Sequence, residues 1–316
     1  MSVQSWFIEI IRDKTRLRYS QQGGYFDDTM TRGDGHAGEI KFPVAGGVIQ
    51  MYELSGAIQE IDASEINMDT ISLSIRDFEA SAFFRQQDVR KMGPSQQDAL
   101  AKLMARAVRT KRDNLKFDAL NAFSTATSPL TDAPVTVETI GDGSAVIDLD
   151  TAVYIGDSIA GSGGEDDLFC PIPYAWFSQL MMYKQFSNSQ YQGPTDQWWA
   201  SSSKVRLKTF QGVHFMAVPN SVFRFGTGAY GTGTGNNPFD PNGYIDTFAW
   251  AKDAVGSEIE WDQENMTIDP VPTLKGTPNL CKVQLSGNSV GILPEGVKRI
   301  RMKAINKAAL ATAGGG

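Results

Sequence analysis

The sequence predicts an α+β fold organised around one long helix. Three observations carry that expectation. A helical stripe of about thirty residues follows Gly93-Pro94-Ser95. Two alternating apolar runs, Ile40-Phe42-Val44 and Ile71-Leu73-Ile75, flank a glycine-bearing polar excursion. Near the end, Ile300, Met302 and Ala304 alternate with Arg299, Arg301 and Lys303, which describes a strand with one apolar and one basic face. With 316 residues the chain is long enough for a large core, and no internal repeat or linker divides it.

In chain order, residues 4–19 set Trp6, Phe7, Ile10, Ile11 and Leu17 at helical spacing among Arg12, Lys14, Arg16 and Arg18, and Gly23-Gly24 ends the segment. Aromatic residues so close to a terminus need cover, from their own core or from a neighbour. Residues 38–78 read as two long strands. Between them, Met51, Leu54, Ile66 and Met68 are scattered among Glu53, Glu60, Asp62 and Glu65. Such a hairpin is too apolar for a free loop and too polar for a private core, so its length calls for a partner.

The long helix is expected over about 95–124, with Ser95 as N-cap and Asp98 in the place of the capping-box acid. Its stripe takes in Leu100, Leu103, Met104, Ala107, Val108, Leu115, Ala119 and Phe123 over about 45 Å. Six bases, Lys102, Arg106 and Arg109 among them, lie on it against three acids. They suit a solvated face or a nucleic-acid face equally. Shorter helices are expected at Asp150–Ala160 and Tyr174–Phe186, the second packing Trp176, Phe177, Leu180, Met181 and Met182 into a core. Val205–Phe225 reads as two strands turning at Gln211-Gly212, followed by a Gly- and Asn-rich loop to Gly243.

The net charge of −7 is unevenly spread. Between Phe117 and Tyr183 there are 10 acids and no Lys or Arg, more negative charge than the whole chain carries. This block is expected to face water and to stay away from any polyanion. Nothing approaches the length of a membrane span, and Met1–Ile11 does not read as a secretory signal. Cys170 and Cys281 fit unpaired thiols in a reducing compartment.

No catalytic constellation emerges. The run Gly226-Thr-Gly228-Ala-Tyr-Gly231 spells GxGxxG, but the glycines, asparagines and proline after it leave no room for the helix a pyrophosphate site needs. His36 in a loop and His214 in a strand read as structural, without a nucleophile elbow near either. Asp240, Asn242 and Asp246 lack the spacing and bidentate Glu of a calcium loop. No cofactor and no metal are expected, and the chain reads as a structural protein.

The order of parts resembles the major capsid proteins of tailed bacteriophages. The likeness rests on Tyr19-Ser-Gln-Gln-Gly-Gly24, on Gly38-Glu-Ile-Lys-Phe42, on Asp69–Phe78, and on the helix ending in Lys111-Arg-Asp113. It continues in Thr247-Phe-Ala-Trp-Ala-Lys-Asp-Ala-Val-Gly256 and in Gly291-Ile-Leu-Pro-Glu-Gly-Val297, whereas 128–204 matches in character only. The resemblance implies an N-terminal arm (1–30), an extended hairpin (31–80), a peripheral domain (81–135 and 262–316) holding the spine helix, and an axial domain (136–261).

It also implies self-assembly into hexamers and pentamers around double-stranded DNA. Scaffolding, portal and decoration proteins are its implied partners, with no membrane, in a virion assembled in the host bacterial cytoplasm. The expected assembly residues are Trp6, Phe7, Ile10 and Ile11 of the arm and Ile40, Phe42, Met51, Leu54, Ile66 and Met68 of the hairpin. An interior basic face would comprise Lys102, Arg106, Arg109, Arg299, Arg301 and Lys303, touching DNA without sequence preference. A cellular nanocompartment shell of the same fold, or a cytoplasmic enzyme, are the alternatives.

Overall fold

The computed structural model describes residues 23–36, 38–46, 67–84, 94–123, 125–127, 134–164, 167–187, 206–225, 244–271, 273–275 and 278–304. The strands are β1 (Asp34–His36), β2 (Glu39–Gly46), β3 (Asn67–Ser74), β4 (Arg76–Phe84), β5 (Thr125–Thr127), β6 (Pro134–Thr136), β7 (Glu138–Ile140) and β8 (Leu168–Pro173). They continue with β9 (Arg206–Phe210), β10 (Val213–Val218), β11 (Arg224–Phe225), β12 (Tyr244–Ala251), β13 (Val255–Pro270), β14 (Asn279–Gly291) and β15 (Val297–Lys303). The helices are α1 (Pro94–Ala122), α2 (Leu149–Ala160), α3 (Tyr174–Met181) and α4 (Lys184–Ser187). The expected mixture of helix and strand is therefore present, including the long helix.

The chain forms two compact units. The first takes the residues up to Tyr25, Ile75–Lys116 and Ile259–Asn288. Here α1 lies on an antiparallel sheet of order β13-β14-β4. Alternation decides which face of the sheet meets the helix. Cys281, Val283 and Leu285 point inward and pair in register with Ala82, Ala80 and Phe78 of β4. Met104, Val108 and Leu115 of α1 complete that core. The outward positions are polar and satisfied: Gln284 donates to Glu79 at 3.0 Å and Lys282 pairs with Asp269 at 3.0 Å.

The structure corrects two details of α1. The helix begins at Pro94, where a missing N–H costs nothing in the first turn, and Ser95 lies inside it. Leu103, expected in the core, is 45% exposed, because the buried stripe follows Met104 and Val108 and turns Leu103 away from the sheet.

The second unit takes Phe26–Ser74, Phe117–Glu258 and Ser289–Gly316. Its centre is a sheet of order β7-β15-β12-β8-β10-β9, with β11 beside β12. β8 runs parallel to β10 and β15 parallel to β7, while the other pairings are antiparallel. All six residues of β8, Leu168–Pro173, are buried, as a central strand covered on both faces must be. The cover includes α2 against β12 and β15, and α3 against β8 and β10. The polar groups within are paired: Thr247 Oγ donates to the Pro171 carbonyl, and Trp176 Nε1 to that of Lys303 at 3.1 Å. β15 belongs to this sheet through its ladder with β12, whereas 262–316 was expected as one piece with the long helix.

Two aromatic clusters fill the unit. Phe117 stacks on Phe26 at 6.0 Å and meets Phe223 and Phe248 edge-on, and Trp250 meets Phe26 edge-on. Phe186 joins Phe177, Phe210 and Phe215 in the other. The expected helix Tyr174–Phe186 divides into α3 and α4 because the N–H groups of Met182 and Tyr183 bond three residues back, tightening the turn before Phe186 packs. Trp176, Phe177 and Leu180 are buried as expected, but Met182 is 72% exposed. The helix α2 is capped by Asp148, which accepts from the Thr151 N–H at 2.8 Å. His36 lies in β1, not in a loop, paired opposite Glu39.

Burial separates two neighbouring positions of α1. Val108→Asp puts an unpaired carboxylate at a 4%-exposed site and should cost about 3 kcal/mol or more, leaving insoluble protein. Leu103→Asp should leave the subunit soluble, with a melting temperature within a few degrees of the parent in a thermal scan.

Candidate assembly surfaces

Within the first unit, Gly23 makes a close backbone contact with α1. Gly23 has φ +73, a conformation that L side chains resist, and a Cβ there would stand 2.5 Å from the Thr110 nitrogen and 2.6 Å from the Arg109 carbonyl carbon. Two residues on, the Tyr25 N–H points at the Asp113 carboxylate, 3.2 Å from each oxygen. Asp113 is fully buried. Gly23, from the first of the motifs quoted above, thus lies against α1 one turn before Asp113, and Tyr25 bonds Asp113 itself.

The hairpin is rooted in the second unit in a similar way. β2 and β3 pair from Glu39↔Ser74 to Gly46↔Asn67, with Ile40 opposite Leu73 and Phe42 opposite Ile71. Ile40 and Phe42 are buried, 0% and 2% exposed. They occupy the space over two glycines: a Cβ on Gly33 would stand 2.5 Å from Ile40 and 2.7 Å from Phe42, and one on Gly256 would stand 2.4 Å from Phe42. Thr31 fastens the strand below, its N–H bonding the carbonyls of Lys252 and Val255 and its own carbonyl accepting from Ser257. A third joint closes the last turn, where the Ile292 and Leu293 N–H groups bond the Ala254 carbonyl and Gly296 admits the Ala254 methyl.

These joints sort the expected assembly residues. Ile40 and Phe42 are packed within their own subunit and anchor the hairpin instead of presenting a contact surface. Met68, on β3 opposite Ala45, is 78% exposed. Trp6, Phe7, Ile10, Ile11, Met51, Leu54 and Ile66 lie outside the described residues, as do the GxGxxG run, Asp240 and Asn242.

The basic strand is engaged inside its own sheet. Arg301 makes a two-pronged pair with Asp246 on β12, at 2.7 and 2.9 Å, and lies over the Tyr244 ring. The Asp246 carboxylate holds the guanidinium pKa above its ordinary value. Arg299 donates to the Asn121 carbonyl at 3.2 Å and covers Phe248. Lys298 reaches Glu138, whose carboxyl is held below its usual range by that ammonium's hydrogen bond and by the Tyr154 hydroxyl. Lys303 is half-buried. On α1, Lys102 is exposed and Arg106 and Arg109 are half-buried. Among the described acids of the block, Asp118, Glu138, Asp142, Asp150, Asp157 and Asp167 are exposed and Asp148, the cap of α2, is half-buried.

Chemistry is not assembled elsewhere among the described residues. His214 Nδ1 is 2.8 Å from the hydroxyl of Thr209, its cross-strand partner, and its ring lies beside Phe169. Cys170 and Cys281 are unpaired and buried, and burial pushes both thiols up, away from the reactive thiolate. No group of three or more potential metal ligands occurs among the described residues, and none of their helices is long and apolar enough to cross a membrane.

Comparison with known proteins adds a family and a fold. The family described as phage capsid protein matches residues 3–304. Comparison with curated proteins finds no match. Among solved structures, the capsid of Cyanophage P-SCSP1u superposes with a TM-score of 0.61 at 18% identity, covering 93% of this chain and 91% of that one. The capsid of Ralstonia phage GP4 gives a TM-score of 0.61 at 10% identity, over 93% and 96% of the two chains. The mature capsid of bacteriophage PhiM1 gives 0.56 at 13%, over 91% and 89%.

The engaged basic strand makes a thermodynamic prediction. Arg301→Gln strands the buried Asp246 carboxylate and should cost about 2 kcal/mol in urea unfolding, the Arg being partly exposed. Lys303→Gln should change stability by less than about 0.5 kcal/mol. Adding Asp246→Asn to Arg301→Gln should restore part of the loss.

Proposed function

Since this chain belongs to the phage capsid protein family and is a major capsid protein forming the head shell, we propose that it closes that shell as hexamers and pentamers around double-stranded DNA. The observation that supports this most directly is the rooted hairpin. β2 and β3 are fixed at one end by Phe42 over Gly33 and Gly256, while the sequence between them lacks the apolar content for a core of its own. A subunit has reason to hold such an extension firmly only if the far end works elsewhere, and in a shell that place is an adjacent copy.

In this reading, residues 1–30 are the arm, with Trp6, Phe7, Ile10 and Ile11 as its contact face. The segment 31–80 is the hairpin, with Met51, Leu54, Ile66 and Met68 available to a neighbour. The long helix belongs to the peripheral domain and the seven-stranded sheet to the axial domain, which β15 joins. Among the bases, we assign non-specific DNA contact to Lys102, Arg106 and Arg109 of α1. Arg299 and Arg301 serve the sheet, and Lys303 contributes at most charge. The exposed acidic block would then face away from packaged DNA, since anions so concentrated would repel phosphate. Assembly would proceed in the host cytoplasm, where Cys170 and Cys281 stay reduced, with scaffolding, portal and decoration proteins as further partners.

Replacing residues 47–66 by a short Gly-Ser turn tests the hairpin's role. The expected outcome is a soluble subunit with a cooperative melt that sediments as small species and shows no closed shells by electron microscopy. Closed particles at parental yield would remove the hairpin from assembly.

A further inference from the structure

We infer that the outer face of α3, carried by Tyr174, Met181 and Met182, is a contact surface for a second copy of this chain. The inference rests on the reading of the chain as a subunit that closes a shell with its own copies. Within the second unit α3 packs on β8 and β10, and its Trp176, Phe177 and Leu180 are buried. The opposite side of such a helix is polar when it faces water for good. Here it is apolar. Tyr174, Ser178 and Met181 recur on that side at the i, i+4, i+7 spacing, and Met182 lies beside them just past the helix end. Tyr174, Met181 and Met182 are 37%, 40% and 72% exposed.

Charge decides what can cover this face. Leu168–Tyr183 contains no charged side chain, although it closes the stretch Phe117–Tyr183, which holds 10 acids and no Lys or Arg. Among the described residues, the other large apolar side chains exposed in that stretch are Val146 and Tyr154. They are interleaved with Asp142, Asp150 and Asp157, and the Tyr154 hydroxyl donates to Glu138 at 2.9 Å. Two copies meeting there would bring acids together, whereas on α3 they would not. DNA is a poor occupant, because Leu168–Ser187 supplies Lys184 alone to meet phosphate. An apolar surface without charge suits another protein surface, and in a shell the protein present in greatest number is the subunit itself.

Methionine also suits this kind of contact. Its unbranched thioether adapts to surfaces that differ slightly, and rings of five and six copies would present two. Met182, largely exposed, contributes little to the core beneath it, where Trp176, Leu180 and Phe186 are fully buried. Its apolar surface is therefore available to a neighbour at no cost to the fold.

The test reads the face by oxidising the full-length protein with hydrogen peroxide and following its methionines by mass spectrometry. Sedimentation first separates the parent into small species and closed particles. Met182 should oxidise about tenfold more slowly in closed particles than in small species, while buried Met216 stays slow in both. Met182→Glu should melt within about 2 °C of the parent and yield about tenfold fewer closed particles. Met182→Leu, which keeps the apolar surface, should close particles at parental yield. Equal oxidation in the two fractions overturns the inference, as does slow oxidation already in the small species, where the subunit would be covering the face itself. Protection confined to particles that contain a second protein overturns it in favour of that protein. Parental particle yield from Met182→Glu overturns it as well, and should that variant unfold, the oxidation rates decide alone. If the parent closes no particles, the shell reading fails and takes this inference with it. If the parent closes them and Met182 stays reactive, the inference alone fails.

Discussion

The subunit depends on a steric constraint: backbone and large side chains approach so closely at its joints that only glycine fits. Phe42 over Gly256 is the clearest case, with Cε1 2.4 Å from where a Cβ would stand. The contact brings a ring onto a bare backbone, excludes water from both and leaves little freedom to slide. Thr31 then locks the same region by bonding across to Lys252, Val255 and Ser257. Without that fit the small sheet of β1, β2 and β3 would have little to pack on, and so small a sheet is marginal in water.

The same economy governs the charges. A capsid subunit needs charge for solubility, yet a base without a fixed partner attracts any anionic surface it meets. The structure keeps Arg301 with Asp246, Lys298 with Glu138 and Arg299 with the Asn121 carbonyl, so the basic edge of β15 is spent largely on its own sheet. Glu138, Asp142, Asp150 and Asp157 meanwhile stay exposed in a stretch without bases. Repulsion between such surfaces disfavours unspecific association and leaves binding to shaped, apolar contacts.

The motifs behind the family resemblance acquire a physical meaning in this setting. Asp113 belongs to the run that closes the helical motif, Gly23 to the arm motif, Phe42 to the strand motif, and Gly256, Gly291 and Gly296 to the two late motifs. In the structure Phe42 meets Gly256 and Gly296 meets Ala254, while Gly23 lies against Arg109 and Thr110, one helical turn before Asp113. A close contact restricts both of its sides and little of the chain between them. The 8 residues of β2 and the 16 of β13 need only alternate, whereas Gly256 must be glycine where Phe42 crosses it.

Local chemistry alone determined much of this protein. Period 3.6 gave α1 to within two residues at each end, and period 2 gave β2 and β15 with their buried sides and β3 with Ile71 and Leu73 half-buried, because side-chain direction follows directly from backbone geometry. The turn at Gln211-Gly212 and the exposure of the acidic block were equally legible. Tertiary structure alone decided the partners. An alternating strand such as β15 does not specify which sheet it enters, and its ladders placed it between β7 and β12. The stripe on α1 is wider than the surface covering it, so only the position of the sheet turned Leu103 outward and Val108 inward. Basic residues read the same whether they meet phosphate, water or Asp246, since pairing depends on a residue 55 positions away. Ile40 and Phe42 looked like contact residues for the same reason: apolar alternation says that a face is buried, and only the folded chain says by what.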